Sequence, residues 1–268
     1  VGGQIGRDAR SRGANFLLGP GVNIYRAPMN GRNFEYFGED PLLAGRIAVG
    51  YITGVQGQGV SATIKHFLGN NSEFARNTSD SVIDERALRE IYLPAFEAGT
   101  REGHVWTLMS SYNRINGPHA TANQYLLTDV LKKDWSWDGM VMSDWGAVHE
   151  TARVVNAGND LEMPGPGYLA SKNVALALSA DKITQAQIDE NVHRILRAVL
   201  RVGLLDGPHV PNHALVNSPE HQALTFEAAS KSIVLLKNRG AILPLDAAQL
   251  KSIAVIGPGA VDMQYGAA

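Results

Sequence analysis

The stretch GMVMSDWGAVHE, residues 139 to 150, runs apolar as far as Met142 and then places Ser143, Asp144 and Trp145 where the apolar pattern stops. The end of a buried strand is the start of a loop, and loops held by a rigid scaffold are where chemistry concentrates. Asp144 is therefore the lead candidate for a reactive carboxylate. Trp145 beside it offers an indole face that stacks on apolar C–H surfaces such as those of a sugar ring and keeps water away. The plainer readings are that Asp144 caps the following helix and that Trp145 lids the core. Lys65 and His66, in VSATIKHF, are adjacent, so in a regular strand their side chains would oppose each other. Both can face one bowl only where the strand ends and the backbone turns. There they would donate hydrogen bonds to sugar hydroxyls, whereas alone a strand-end His is an ordinary satisfied polar residue. Arg32, in YRAPMNGRNFEYFGEDP, could fork onto vicinal hydroxyls or onto Asp144, because its five donors lie in one plane. Its plainer role is an ion pair with Glu35 or Glu39.

These residues need elements to carry them. ANFLLGPGVNI (14 to 24) reads as a strand, EDPLLAGRIAVGYITGVQGQ (39 to 58) as a helix, and VSATIKHF (60 to 67) as the next strand. A helix from about Asp84 to Arg101 follows, with Asp84 as its N-cap. HVWTLMSSY (104 to 112) is a third strand, a further helix runs to about Lys133, and GMVMS is a fourth strand with a helix after His149. NDLEMPG (159 to 165) is a short fifth strand, followed by helices at about 168 to 179 and 184 to 203. Strands apolar on both faces and alternating with helices imply a parallel sheet covered on both sides. Polar residues recur at one end of every strand: Lys65 and His66, then Ser110 to Tyr112, Asp144 and Trp145, and Asp160 to Glu162. An open sheet would gather its site at one switch point, so a (β/α) TIM-type barrel is favoured.

The expected organisation is an α/β fold. Residues 1–203 form the barrel and 204–218 a proline-rich linker. Residues 219–268 begin a second α/β sandwich domain, with a helix to about Lys237 and a strand in KSIAVIGPGA. VGGQIGRDARSRGANF at the start lacks an initiating Met and reads as the middle of something, so the barrel is expected to be N-terminally incomplete.

Composition narrows the partners. The 268 residues are 44% hydrophobic and 19% charged, with 24 basic against 26 acidic residues and neither sign gathered into a block. This offers no footprint for nucleic acid or an anionic membrane, and points to an uncharged small molecule. With no cysteine, disulfides, thiolate metal sites and cysteine nucleophiles are excluded. No histidine pair has zincin spacing, and a lysine at the site argues against a carboxylate metal cluster, so no cofactor is expected. Asn70 and Asn77 lie in Asn-x-Ser/Thr sequons.

KHFLGNNSE, MSSYNRINGPHATAN and GMVMSDWGA, with GRNFEYFGEDP upstream and AASKSIVLLKNRGAILPL downstream, resemble glycoside hydrolase family 3, and within it the bacterial β-glucosidases. The resemblance implies an N-terminal (β/α) barrel followed by an α/β sandwich. It also implies release of β-linked sugars from non-reducing ends with retention of configuration, on glucosides or xylosides. It implies Asp144 as nucleophile, with Arg32, Lys65, His66, Met109, Tyr112 and Trp145 lining the sugar pocket. The family's acid/base Glu comes from the second domain, which this chain only begins. The family's N-acetylglucosaminidases use a His and an Asp after the Lys-His motif, where this chain reads FLGNNSE. A periplasmic or secreted location is favoured by the same resemblance. Two rival readings stand: a Schiff-base lyase using Lys65, and a non-catalytic carbohydrate-binding remnant.

Overall fold

The structure is a computed structural model that describes residues 1–165, 167–207 and 209–261. Packing density divides the chain into two units, residues 1–221 and 222–268.

In the first unit, helix α1 (Gly2–Ser11) lies against α2 (Pro41–Gln56). The two backbones touch through glycines: a Cβ on Gly54 would sit 2.5 Å from the amide nitrogen of Gly3. α2 starts where the sequence predicts. Asp40 accepts from the Leu42 and Leu43 amides at 2.8 and 3.0 Å, and Pro41 occupies the first turn, where its missing N–H costs nothing.

Between and after these helices run the strands β1 (Phe16–Leu17), β2 (Ser61–Phe67), β4 (Thr107–Ser110) and β6 (Met140–Ser143), all parallel and in that spatial order. Two short strands, β3 (Asp80–Ser81) and β5 (Arg114–Ile115), pair beside them. The predicted first and fifth strands are much shorter than expected. Pairing beyond β1 is reduced to a bridge between Gly21 and Lys65, and 159–165 contributes only a bridge from Leu161 to Met142. Prolines 20 and 164 supply no ladder donor there.

Side chains alternate as a two-faced sheet requires. Ile64, Leu108 and Val141 share the core with Ile52 of α2 and with Phe96, Leu126 and Leu127 of the following helices. On the opposite face Thr63 and Thr107 hydroxyls bond at 2.7 Å, and Met109, Met140 and Met142 pack with Phe16, Leu161 and Met163. Burial on both faces is the α/β arrangement predicted.

The helix predicted from 84 to 101 is not continuous. Asp84 does cap it, accepting from Ala87 N at 3.0 Å. After α3 (Glu85–Ala87), however, the chain widens into π turns over Leu88–Tyr92 before α4 (Pro94–Arg101) resumes. Pro94 has no N–H and its ring crowds the carbonyl four residues back, which breaks the regular ladder. The helix expected up to Lys133 is likewise wound in π turns over Tyr125–Asp134. The later helices are α5 (Ala152–Ala157), α6 (Ser171–Ser179) and α7 (Gln185–Arg201), the last opened by a Thr184/Gln187 capping box.

Within the expected linker, two residues contact α1. Asn217 N reaches Asp8 Oδ1 at 3.3 Å and the His209 ring reaches the Arg10 carbonyl at 2.9 Å. Helix α8 (Pro219–Ser232) starts at the predicted residue but ends before the β-branched pair Ile233-Val234. The strand expected in KSIAVIGPGA is not formed, and Ile253, Val255 and Ile256 lie exposed. A strand without a ladder partner leaves its own amides unpaired, so none is stable alone.

Asp160 is also placed differently from its sequence reading. Its side chain is fully buried and turned away from the other strand ends. Asp160 accepts from Arg194 Nε at 2.9 Å and from the Val141 amide at 2.8 Å, with Lys132 Nζ 3.7 Å away. Glu162, expected with it, instead accepts from the amides of Gly167, Tyr168 and Leu169. Asp160 thus pins α7 and the 125–134 helix to β6. Asp160→Ala would remove the carboxylate facing Lys132 and leave Arg194 with only the exposed Glu190 at 3.4 Å as counter-charge, so urea unfolding should show a loss of about 3 to 5 kcal/mol.

Candidate active site

Asp144 follows β6 directly, and its amide bonds to the Ser110 carbonyl at 3.1 Å, so the residue is fixed to the end of β4 as well. Its side chain is only 10% exposed. Tyr112, two residues past β4, donates its hydroxyl to Asp144 Oδ1 at 2.9 Å. Around Oδ2 stand His66 Nε2 at 3.5 Å and Arg32 Nη1 at 3.8 Å. Oδ2 and His66 Nε2 are both buried and neither makes a hydrogen bond within the protein. A substrate hydroxyl or an electrophilic carbon entering here meets one oxygen fixed by Tyr112 and one open oxygen beside an open imidazole nitrogen.

Lys65 and His66 are brought to the same side as the sequence requires. The β2 register shifts between Ile64 and Phe67, which breaks the two-residue alternation at that point. The His66 backbone is clamped by Asn23, whose amide nitrogen donates to His66 O at 2.9 Å and whose oxygen accepts from His66 N at 2.8 Å. His66 Nδ1 lies 3.2 Å from the Tyr36 hydroxyl. Arg32 does form the ion pair that was its plainer reading, with Nη2 2.6 Å from Glu35 Oε1, and it faces Asp144 at the same time. Its ion-pair alternative and its site role are thus one arrangement.

The neighbouring cations do favour the Asp144 anion, but burial is the larger effect. Burial raises the Asp144 pKa above the ordinary carboxylate value and outweighs the Tyr112 bond and the cations Arg32, Lys65 and Arg76, which lower it. Burial also lowers the Lys65 pKa, with Glu35 opposing and Arg32 assisting. His66 falls well below the usual imidazole value, through burial and then the charges of Arg32, Lys65 and Arg76, and is neutral at pH 7. Burial and the Asp144 carboxylate push Tyr112 up to about 12, so it remains a donor.

Two of the residues implied by the resemblance stand apart from this contact set. Met109 lies one register step inside the strand end, packed with Met140 and Met142 beneath the carboxylate. Trp145 is 40% exposed at the rim. The sequence reading missed Glu73, which bonds Arg76 at 2.6 Å and accepts from Asn70 at 3.2 Å, and Arg76, whose guanidinium lies 4.1 Å over the Tyr112 ring. Only the Glu73/Arg76 spacing of three was a visible signal. The roles of Asn23 and Tyr36 arise from tertiary packing.

A buried carboxylate, three basic side chains and a tyrosine are thus gathered where parallel strands end on an α/β scaffold, the end at which active sites of such folds are built. The sequence profile described as Glycosyl hydrolase family 3 N terminal domain matches residues 1–198, and the chain belongs to that family. It is 48% identical over 261 residues to a beta-glucosidase of Rhizobium radiobacter, covering 97% of this chain and 32% of that protein. Against thermostable beta-glucosidase B of Acetivibrio thermocellus it is 42% identical over 257 residues, covering 96% of this chain and 33% of the relative. The crystal structure of the Kluyveromyces marxianus beta-glucosidase with glucose superposes with a TM-score of 0.87 at 38% identity, over 91% of this chain and 30% of that one. Beta-glucosidase 3B of Thermotoga neapolitana, in complex with α-D-glucose, gives 0.86 at 39% identity, over 91% and 35%. The chain thus spans about a third of the length of these relatives.

Tyr112→Phe should raise the Asp144 pKa further, because the bond it removes favours the ionised form. A carboxyl-carbon NMR titration of Asp144 in the variant checks this, and an unmoved midpoint would contradict it.

Proposed function

We propose that this chain carries the nucleophile half of a retaining β-glucosidase site, acting on terminal non-reducing β-D-glucosyl residues or close relatives such as β-xylosides. The observation that carries the reading is the Asp144 carboxylate, buried, held at Oδ1 by Tyr112 and open at Oδ2 beside His66 and Arg32. The relatives named as beta-glucosidases and the neighbours solved with glucose support the same substrate class.

In the first step Asp144 Oδ2 attacks the anomeric carbon, the bond to the leaving oxygen breaks, and a glycosyl ester forms. In the second step water displaces the ester and releases the sugar with its configuration retained. Arg32, Lys65 and His66 grip the ring hydroxyls, and Trp145 and Met109 complete the pocket wall. A second carboxyl group about 5 to 5.5 Å from the first must protonate the leaving oxygen. Glu35 is engaged with Arg32 through Oε1. Following the resemblance, which gives the acid/base Glu to the second domain, we place that residue outside these 268 residues. On this reading residues 1–203 are the catalytic barrel, 204–218 the connection, and 219–268 the opening of the second domain.

A second reading rests on the burial that lowers the Lys65 pKa, since a depressed lysine can form an imine with a carbonyl substrate. Borohydride trapping of an aldehyde or ketone on Lys65 during turnover would favour it over the glycosidase.

In the full-length protein, Asp144→Asn should reduce turnover of aryl β-glucosides by several orders of magnitude while the fold is retained. Wild-type turnover in that variant would end the proposal. Because burial raises the pKa of Asp144, it is protonated at a higher pH than a free carboxylate. The acid limb of kcat/KM should accordingly lie above the usual Asp range, and a limb at or below it would contradict the assignment. The 268-residue chain by itself should turn over at least 10² to 10⁴-fold more slowly than the full-length protein, the typical worth of a general acid.

A further inference from the structure

Within the site just assigned, one carboxylate oxygen meets three of the groups that face Asp144. Glu35 Oε1 lies 2.6 Å from Arg32 Nη2, 3.8 Å from Lys65 Nζ and 3.8 Å from His66 Nε2. Arg32 and His66 in turn are the groups nearest Asp144 Oδ2. Glu35 has no hydrogen bond to Asp144 and no free oxygen aimed at it among the contacts of the described residues, so its influence on the reaction passes through these basic groups.

The loop that carries Glu35 is braced to hold it there. Asn33 donates to the carbonyls of Ala27 and Pro28 at 2.9 and 3.3 Å, and the Tyr25 hydroxyl donates to Tyr36 O at 2.8 Å. The turn lies flush on the strand end because Gly21 faces it: a Cβ there would sit 2.9 Å from both the Glu35 carbonyl and the Tyr36 ring. The bridge from Gly21 to Lys65 ties the same point to β2. The loop is thus tied to the strand end at several points, and Glu35 is the only acidic side chain within 4 Å of Lys65 among the described residues.

We propose that Glu35 is a positioning residue, whose single carboxylate oxygen holds Arg32 and Lys65 in place beside His66, in the fan that grips the sugar against Asp144. The inference rests on the glycosidase reading of Asp144. A carboxylate held 3.8 Å from an ammonium also keeps it charged. Around Lys65 the charged groups are Glu35 and Asp144, which favour the ammonium, and Arg32, which opposes it; His66 is neutral.

The test uses the full-length protein with Glu35→Gln, Glu35→Asp and Asp144→Asn. It reads kcat and KM on an aryl β-glucoside, the thermal midpoint, and the pH midpoint of Lys65 acylation by an amine-selective reagent followed by peptide mass spectrometry. Glu35→Gln should lower kcat/KM on the order of 10²-fold, the size of loss that follows a displacement of about 1 Å. It should also move the Lys65 midpoint to lower pH. Glu35→Asp, which keeps the charge, should recover most of that midpoint even where Glu35→Gln proves less stable. A wild-type kcat/KM in Glu35→Gln would overturn the proposal, and so would a loss of activity with the Lys65 midpoint unmoved, which marks a merely structural residue. If Asp144→Asn keeps wild-type turnover, the glycosidase reading itself fails, whatever Glu35 does.

Discussion

Taking a carboxylate out of water at the end of a strand penalises its charged form, and the surroundings of Asp144 are arranged around that penalty. One oxygen receives the Tyr112 hydroxyl and the other is left to face a guanidinium and an imidazole. The balance is incomplete, since burial still raises the pKa. The carboxylate is thus fixed in direction and short of one partner on Oδ2, which suits the nucleophilic role proposed for it. A fully satisfied carboxylate such as Asp160, bonded to Arg194 and the Val141 amide, illustrates the alternative, in which the same residue type becomes a structural pin.

The scaffold supplies the fixity. β2, β4 and β6 run in parallel, so their carboxyl ends bring Lys65, Tyr112 and Asp144 to one side of the sheet. The loop after β1 adds Arg32 and Glu35, and the loop after β2 adds Glu73 and Arg76. Cations and anions therefore alternate around the site, with each arginine bound to a glutamate and also facing Asp144 or Tyr112. Met109, Met140 and Met142 of the adjoining strands form a buried apolar cluster of their own.

Much of this could be read from residue order. Asp144 at the break of an apolar run, and the Lys65-His66 pair that an alternating strand cannot place on one side, both pointed to the strand ends. The α2 and α3 caps at Asp40 and Asp84 follow from local hydrogen bonding alone. What escaped was governed by tertiary contact. Proline interrupts two strands and one helix by removing amides at positions that periodicity does not weigh. The side chain of Asp160 finds its partners in α7 and β6, and that of Glu162 turns onto the amides that follow it in the same loop. The sign of the Asp144 shift depends on how deeply it is buried, which no spacing encodes. The absence of a strand at 251–260 has the same origin, because pairing is not a property of one segment.

The account turns on which atom forms the covalent bond to the sugar. Incubating the full-length protein with a 2-deoxy-2-fluoro-β-glucoside bearing a good leaving group, followed by peptic digestion and mass spectrometry, locates that bond directly. One glycosyl equivalent on the peptide containing Asp144, attached at its carboxylate, is the predicted result. Attachment at another residue, or turnover of the unfluorinated glycoside with no glycosylated intermediate under conditions that trap one, would contradict it.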